Sequence, residues 1–249
     1  MNNIKKFFKE MLLIYRGMGF KFFIRYFFYV IVNLNKILKT KSLNSVDKCI
    51  VKDFEISFGS FMFTFPAGAL PTAREIYLKN CYNISDKRFD TCVDLGANRG
   101  IVSALLSKFS RRVVAIEMLD EFASEFQHMR KVNNIENIEY LKYAITSSSC
   151  GENEITMNSL IDKYDIKHID FLKIDIEGAE EDIITKNNSW LEMVSEISME
   201  VHPPFGINLE KIIDELEHFE FELTILDMEF NVHTKKSLKN MGYVWAIKK

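Results

Sequence analysis

The chain is short of the features that would tie it to a zinc cluster, secretion or a membrane span. Its four cysteines, Cys49, Cys81, Cys92 and Cys150, show no C-x-x-C spacing, which argues against a zinc site or a disulfide framework and fits a reducing, cytosolic setting. Long hydrophobic runs are absent. In the basic N-terminal part, residues 1–42, the longest uncharged stretch, Tyr26 to Asn35, is ten residues, whereas a spanning helix needs about 20. No small-residue cleavage site follows it cleanly, so a signal peptide is not expected. A dominant charge is also missing: the net charge is −3, and nothing global advertises nucleic acid as a partner. No internal repeat or low-complexity segment stands out. What remains is 249 residues with 47% apolar content, enough for one medium domain with an appendage and too apolar for wholesale disorder.

The charge is unevenly spread. Residues 1–42 hold nine Lys/Arg and one acid, Glu10, for a net +8, so the rest of the chain carries −11. The basic part is crowded with Phe, Tyr, Leu and Ile. Residues 3–38 contain no proline and repeat apolar residues every three or four positions, which predicts helix, broken near Gly17 and Gly19. Two destinations fit such a segment: an anionic membrane face, or docking on the domain or on a partner subunit. Residues 50–65 alternate apolar and polar around Gly59-Ser60 and predict a hairpin. Pro66 and Pro71 bracket a loop, after which Thr72 is expected to cap a helix reaching Cys81. Residues 1–85 are therefore read as an N-terminal extension of basic amphipathic helices and a β-hairpin.

From about residue 86 the pattern changes. Apolar strands are expected at 91–95, 112–116, 138–144, 171–174, 194–200, 221–226 and 243–247. Amphipathic stretches lie between them at 100–109, 120–133, 156–165, 178–193 and 208–219. This alternation predicts an α/β domain over 86–249: a seven-stranded, mostly parallel sheet flanked by helices, closed by an antiparallel hairpin. Cys92 falls inside the first strand as a small core residue.

The chemistry-bearing residues gather where strands end. Val93-Asp94-Leu95-Gly96-Ala97-Asn98-Arg99-Gly100 reads as a strand, a tight turn and a helix start. The glycines let backbone approach a ligand, and the helix start offers free N–H groups. In open α/β sheets such crevices bind ligands. The spacing is G-x-x-x-G, not the G-x-G-x-x-G of a dinucleotide site. An acid ahead of the first glycine would repel a phosphate but suits the ammonium of S-adenosylmethionine. Glu117 closes the next strand about 20 residues on, where an acid can accept hydrogen bonds from both ribose hydroxyls. Tyr143-Ala144-Ile145, ending the third strand, would border the adenine.

Lys173-Ile174-Asp175-Ile176-Glu177-Gly178-Ala179-Glu180 crowds three acids and a lysine at one strand end, where charge is costly to bury unless paired or used. These acids either serve the next helix's N-terminus or place Asp175 and Glu177 beside the transferable methyl, to orient an acceptor hydroxyl or take its proton. Asp175 with Glu177 could also hold a divalent ion, although no metal ligand is assigned. Met199-Glu200-Val201-His202 ends the fifth strand, where His202 is either structural or a general base near neutral pH.

Together the D-L-G-A-N-x-G turn, the I-E pair, F-L-K-I-D-I-E-G-A-E and M-E-V-H resemble the FkbM family of S-adenosylmethionine-dependent methyltransferases. The resemblance runs from about residue 90 to the C-terminus and implies a Rossmann-like class I methyltransferase fold and O-methylation, in many relatives of sugars or glycan-linked acceptors. By resemblance, Asp94, Gly96, Asn98 and Gly100 form the cofactor's methionine-side loop and Glu117 its ribose contact. Asp175, Glu177 and His202 fall on the acidic and E-V-H signatures. Met118 stands where the family commonly has proline, a departure that bears on the shape of the adenosine pocket and not on the fold. The expected protein is a cytoplasmic O-methyltransferase with a small-molecule or glycan acceptor, touching a membrane's inner face through residues 1–42 if at all. Alternatives are a non-catalytic membrane-associated scaffold and, less favoured by the glycine spacing, a nicotinamide-dependent dehydrogenase. Oligomeric state is not written in the sequence.

Overall fold

A computed structural model describes residues 2–40, 42–148 and 151–249. Cys150, and Lys41 of the basic segment, lie outside the described residues. The chain divides into two compact units, Met1–Cys81 with Glu125–Asn134, and Tyr82–Ser124 with Ile135–Lys249.

In the first unit, α1 (Asn2–Val32) bends at Gly19, where φ is +78°. That left-handed conformation is open to glycine at little cost, so the break falls where the glycine pair predicts one. Helices α2 (Leu34–Thr40) and α3 (Asn44–Asp47) follow. The predicted hairpin forms from β1 (Phe54–Phe58) and β2 (Phe61–Phe65), antiparallel with Phe54 opposite Phe65. The Asn133 side chain supplies the ladder that β2's outer edge lacks. Its amide donates to Thr64 O at 2.8 Å, and its oxygen accepts from Thr64 N at 2.7 Å. Capping an open strand edge in this way removes a template for unwanted pairing.

A buried polar chain ties the helices to the rest of this unit. Tyr26 Oη donates to Asp47 at 2.6 Å, Arg74 pairs with Asp47 at 2.7 Å, and Glu10 lies 3.5 Å from Arg74. Desolvation pushes the Tyr26 hydroxyl far up against the pull of Arg74, while Tyr26, Asp47 and Glu10 hold Arg74 above its ordinary value against burial. One expectation needs correction here. Thr72 caps nothing: α4 (Leu70–Ala73) begins before it, with Pro71 in its first turn, and a π-helical turn, Arg74–Leu78, continues it. Proline's fixed φ suits a helix start, and that preference outweighs threonine as the boundary.

The second unit is a βα alternation around one twisted sheet. Strand β3 (Phe89–Leu95) leads into α5 (Ile101–Phe109), then β4 (Ser110–Ile116), α6 (Asp120–Val132) and β5 (Ile138–Leu141). Helix α6 contributes its residues from Glu125 onward to the first unit. Next come the short β6 (Ala144–Ile145) and β7 (Glu154–Ile155), α7 (Met157–Lys163), β8 (Ile169–Ile174), α8 (Glu180–Thr185), β9 (Val194–Val201) and α9 (Leu209–His218). β10 (Phe221–Asp227), β11 (Val232–His233) and β12 (Gly242–Lys248) finish the chain.

The sheet order is β11-β10-β12-β9-β8-β3-β4-β5. Strands β9, β8, β3, β4 and β5 run parallel, and β12 enters antiparallel between β9 and β10, as the closing hairpin predicts. Seven strands are those expected from the sequence. The eighth, β11, arises because Asp227 accepts from the N–H groups of Glu229 and Asn231, which folds the link back onto β10. The third strand stops at Leu141, earlier than expected, where Lys142 turns to Asp120 at 2.5 Å. Ala144–Ile145 instead pairs with Glu154–Ile155 in a separate ladder.

Strands buried on both faces read as continuous apolar runs. Val93, Leu95, Val114, Ile116, Leu172 and Ile174 all lie in the core. Cys92 is fully buried, and burial pushes its thiol well up, so it behaves as a small core residue. After β5 the chain crosses back to β8 on the other side of β3. The carboxyl ends of β3 and β8 therefore flank the topological switch point, the usual ligand crevice of such sheets.

Candidate active site

The four adjacent strands β9, β8, β3 and β4 bring His202, Asp175, Asp94 and Glu117 to one edge, each at or just past a carboxyl end. The turn after β3 is held from both sides. Gly96 N and Ala97 N donate to Ile116 O at 3.0 and 2.9 Å, while Asp175 N donates to Leu95 O at 3.2 Å. Gly96 has φ +73°, and a Cβ there would lie 1.8 Å from Asp175 O. No other residue fits, because strands β3 and β8 bring their following turns into backbone contact at this point.

Asp94 is fully buried, and its partners are internal. Lys173 Nζ lies 3.1 Å from Asp94 Oδ1, and Ser103 Oγ donates to Oδ2 at 2.5 Å. Lys173 also donates to Leu95 O at 3.0 Å and Gly96 O at 2.7 Å. Burial opposes its charge, but Asp94, and after it Asp175, hold its ammonium above the ordinary lysine value. This pair splints the glycine turn from within. Two charges so placed need each other, since removing either partner would strand the other in a dry interior.

The ligand-facing elements lie further out. Asn98, exposed and at φ +50°, stands at the tip of the turn, with its side chain accepting from Arg99 N at 2.9 Å. Gly100 caps the start of α5 at φ +78°. The Glu117 carboxylate is fixed by two backbone N–H groups, Asn98 N at 2.9 Å and Leu119 N at 2.7 Å. It is nearly buried beside the turn, and each oxygen keeps a lone-pair direction for a further donor. The structure thus places Gly96, Asn98, Gly100 and Glu117 in one neighbourhood. Ala144 is half-buried in the separate β6–β7 ladder.

Asp175, Glu177 and His202 converge on the other side of the switch point. His202, 1% exposed, donates from Nδ1 to Glu180 Oε1 at 2.8 Å, since a carboxylate only accepts. Its Nε2 faces Glu177 at 3.7 Å, Glu200 at 3.8 Å and Asp175 at 3.9 Å, all beyond hydrogen-bond reach. Burial favours the neutral ring, yet Glu180 first, and then Asp175 and Glu200, raise the imidazole above its ordinary 6.5. Phe205 stacks on the ring at 5.4 Å between centroids, 7° from parallel. Asp175 is a quarter exposed and Glu177 largely exposed, with Glu177 held at φ +55°. A non-glycine residue in that conformation is worth a functional explanation.

Several of these partners were not singled out from the sequence. Glu180 opens α8, yet the helix has no side-chain cap, and the Glu180 carboxylate goes to His202 instead. Tyr82 donates to Asp175 Oδ2 at 3.0 Å and lies 3.4 Å from Glu200 Oε2. Ser103 repeats no motif. The K-I-D spacing could have found the Lys173–Asp94 pair, because alternate residues on adjacent strands share a face. Nothing local could have found Tyr82. One atom each from Asp175, Glu177 and His202 lies within 4.8 Å of the others, a set able to hold a divalent ion.

Residues 143–243 match the family described as the methyltransferase FkbM domain. No curated protein matches the chain. Among solved structures it is similar to a precorrin-6y C5,15-methyltransferase from Geobacter metallireducens GS-15, at 14% identity and TM-score 0.46, over 68% of this chain and 84% of that one. An rRNA methylase from Streptococcus thermophilus aligns at 13% identity and TM-score 0.47, over 70% and 96%. A SAM-dependent methyltransferase from Aquifex aeolicus aligns at 13% and 0.44, over 71% and 93%.

Proposed function

We propose that this chain, whose residues 143–243 match the methyltransferase FkbM domain family, is an S-adenosylmethionine-dependent O-methyltransferase acting on a hydroxyl of a sugar or glycan-linked acceptor. The single observation that carries this reading is the Glu180–His202 pair, with Nε2 aimed at the carboxylates of Asp175 and Glu177.

The residues fit the cofactor. Gly96 lets the β3 turn close against the Asp175 backbone, Asn98 stands exposed at the tip, and Glu117 is pre-set by two backbone donors. We assign Asn98, Gly100 and Glu117 to direct cofactor contact, and Asp94 to bracing the turn through Lys173. When bound, S-adenosylmethionine would supply a methyl group from its sulfonium to the acceptor oxygen, the new carbon–oxygen bond forming as the carbon–sulfur bond breaks and S-adenosylhomocysteine leaves. His202 receives the hydroxyl proton at Nε2. Glu180, holding Nδ1–H, fixes the tautomer that leaves Nε2 as the acceptor and stabilises the imidazolium that forms, a division of labour familiar from acid–base pairs. Asp175 and Glu177 accept hydrogen bonds from neighbouring hydroxyls, which suits a polyol, and such positioning supplies much of the rate.

The test is incubation with S-adenosylmethionine and a panel of sugars and glycans. A gain of one methylene mass on oxygen, matched by S-adenosylhomocysteine, supports the reading; methylation only of nitrogen or carbon acceptors overturns it. A second reading uses the same atoms. A divalent ion held by Asp175, Glu177 and Nε2 of His202 would bind a vicinal diol, and Glu180 would then orient the ligating imidazole. Chelation separates the two: unchanged turnover supports the base, and loss restored by manganese or magnesium supports the ion.

A further inference from the structure

Helix α1 satisfies one side of itself inside its own unit and leaves the other side apolar. Tyr26 and Val30 are buried, and Tyr26 is locked to Asp47. Away from them, beyond the Gly19 bend, Phe20, Ile24, Phe27, Phe28 and Ile31 are all exposed, Phe20 by 64% and Phe28 by 62%. Their spacing is i, i+4, i+7, i+8 and i+11, which is one continuous stripe of an α-helix. Before the bend, Phe8, Leu12 and Tyr15 repeat the pattern. A soluble surface seldom leaves so contiguous an apolar face uncovered.

The charges around the stripe identify what covers it. Lys9 and Arg16 flank the first part and Lys21 and Arg25 the second, all exposed, with Lys36 and Lys39 on α2 beyond. The only acid in residues 1–42, Glu10, is turned to Arg74 and Lys79. Beside α2 an open cleft of about 520 Å³ is lined by Lys36, Thr40, Ser42, Ser45 and Lys48 among others, and Ser45 Oγ is buried there without a hydrogen-bond partner. A second copy of this surface would set cation against cation, which costs rather than gains. An anionic lipid surface matches both halves of the pattern: acyl chains for the stripe, phosphates for the lysines, arginines and cleft.

We propose that α1 and α2 lie in the plane of an anionic phospholipid bilayer, with the Phe20–Ile31 stripe dipped into the acyl boundary. No single helix among the described residues is long and apolar enough to cross. The two helices pass that test only as a pair bent by 76°. The basic side chains recur along both helices, and the in-plane pose leaves them at the headgroups, whereas any that a crossing pair carried into hydrocarbon would be costly. This inference does not depend on the acceptor or on the base at His202.

The experiment is co-sedimentation of the full chain with vesicles of phosphatidylcholine alone and with about one third phosphatidylserine. Binding should need the anionic lipid and fall in about 0.5 M salt. F20S/F27S/I31S and, separately, K21E/R25E should each weaken it by about ten-fold or more. Circular dichroism melts unchanged from the parent show that both variants fold. Equal binding to both vesicles, or binding untouched by either variant, overturns the proposal. So does retention after an alkaline carbonate wash, which means a span, or a solution dimer broken by F20S/F27S/I31S without vesicle binding.

Discussion

The turns after β3 and β8 are built from the same parts and do opposite things. Each follows a parallel strand, each opens near an acid, and each carries a glycine at positive φ, Gly96 in one and Gly178 in the other. Asp94 in the first is sealed between Lys173 and Ser103, whereas Asp175 in the second is a quarter exposed and faces Nε2 of His202. The difference teaches that an acid at a strand end takes its role from its partner. Where a buried lysine and serine enclose it, it becomes scaffold; where the facing group can exchange a proton, it stays available to a substrate.

The largest expected effect tests the open side. His202→Ala should lower kcat by about 10²–10⁴-fold, the usual worth of a positioned base, with cofactor affinity measured by calorimetry nearly unchanged. The imidazole lies above its ordinary 6.5 because Glu180, Asp175 and Glu200 outweigh burial. The neutral base therefore accumulates only as pH rises through that elevated value, so the rate should climb above pH 6.5. Stability runs the other way. The protonated ring's contribution is complete below 6.5 and is lost as pH rises through the folded value. Glu180→Gln should move the climbing limb to lower pH while reducing kcat. An unmoved limb would remove Glu180 from its positioning role.

The closed side is tested by Lys173→Met. Leaving the Asp94 carboxylate alone in a dry interior should cost about 3–5 kcal/mol of stability, read from denaturant unfolding. Adding Asp94→Asn should restore a good part of it. If the double variant is no more stable than the single one, the two groups are not a coupled pair. Between the two sides stands Glu117, whose carboxylate spends one acceptor on each of two backbone donors. Glu117→Ala should weaken S-adenosylmethionine about ten-fold or more, since hydrogen bonds to a charged group are worth roughly 1.5–3 kcal/mol. Titration calorimetry with unchanged affinity refutes its cofactor contact.

Much of the second unit was legible because its strands are buried on both faces and end in polar signals. Val113 to Ile116 before Glu117, and Phe171 to Ile174 before Asp175, can be read as strand and strand end from the residues alone. The gathering of Asp94, Glu117, Asp175 and His202 at one edge follows from that register. What could not be read was which acid would be sealed. That depends on Lys173 lying opposite Asp94 across the β3–β8 ladder and on Ser103 one turn into α5. Local pattern also misplaced Thr72, where a neighbouring proline outweighed it, and carried the third strand past Leu141 to Ala144, where Lys142 had another partner.

Tyr82 gives the smallest and sharpest test, because it ties the open side to a residue outside the matched segment. Its hydroxyl donates to Asp175 Oδ2 at 3.0 Å and approaches Glu200 at 3.4 Å, so it shares two of the three carboxylates that face Nε2 of His202. Tyr82→Phe removes one donor and keeps the buried ring, which packs edge-on against Tyr243 at 6.0 Å. A lost hydrogen bond of about 1 kcal/mol corresponds to a change of several-fold, not orders of magnitude. With that donor gone, the negative charge of the Asp175 carboxylate is less compensated and favours the His202 imidazolium more, so the climbing limb of the rate should shift to higher pH. Should kcat fall several-fold with no movement of that limb, the Tyr82 hydroxyl does not act through the charge on His202, and Asp175 belongs with Asp94 among the scaffold acids.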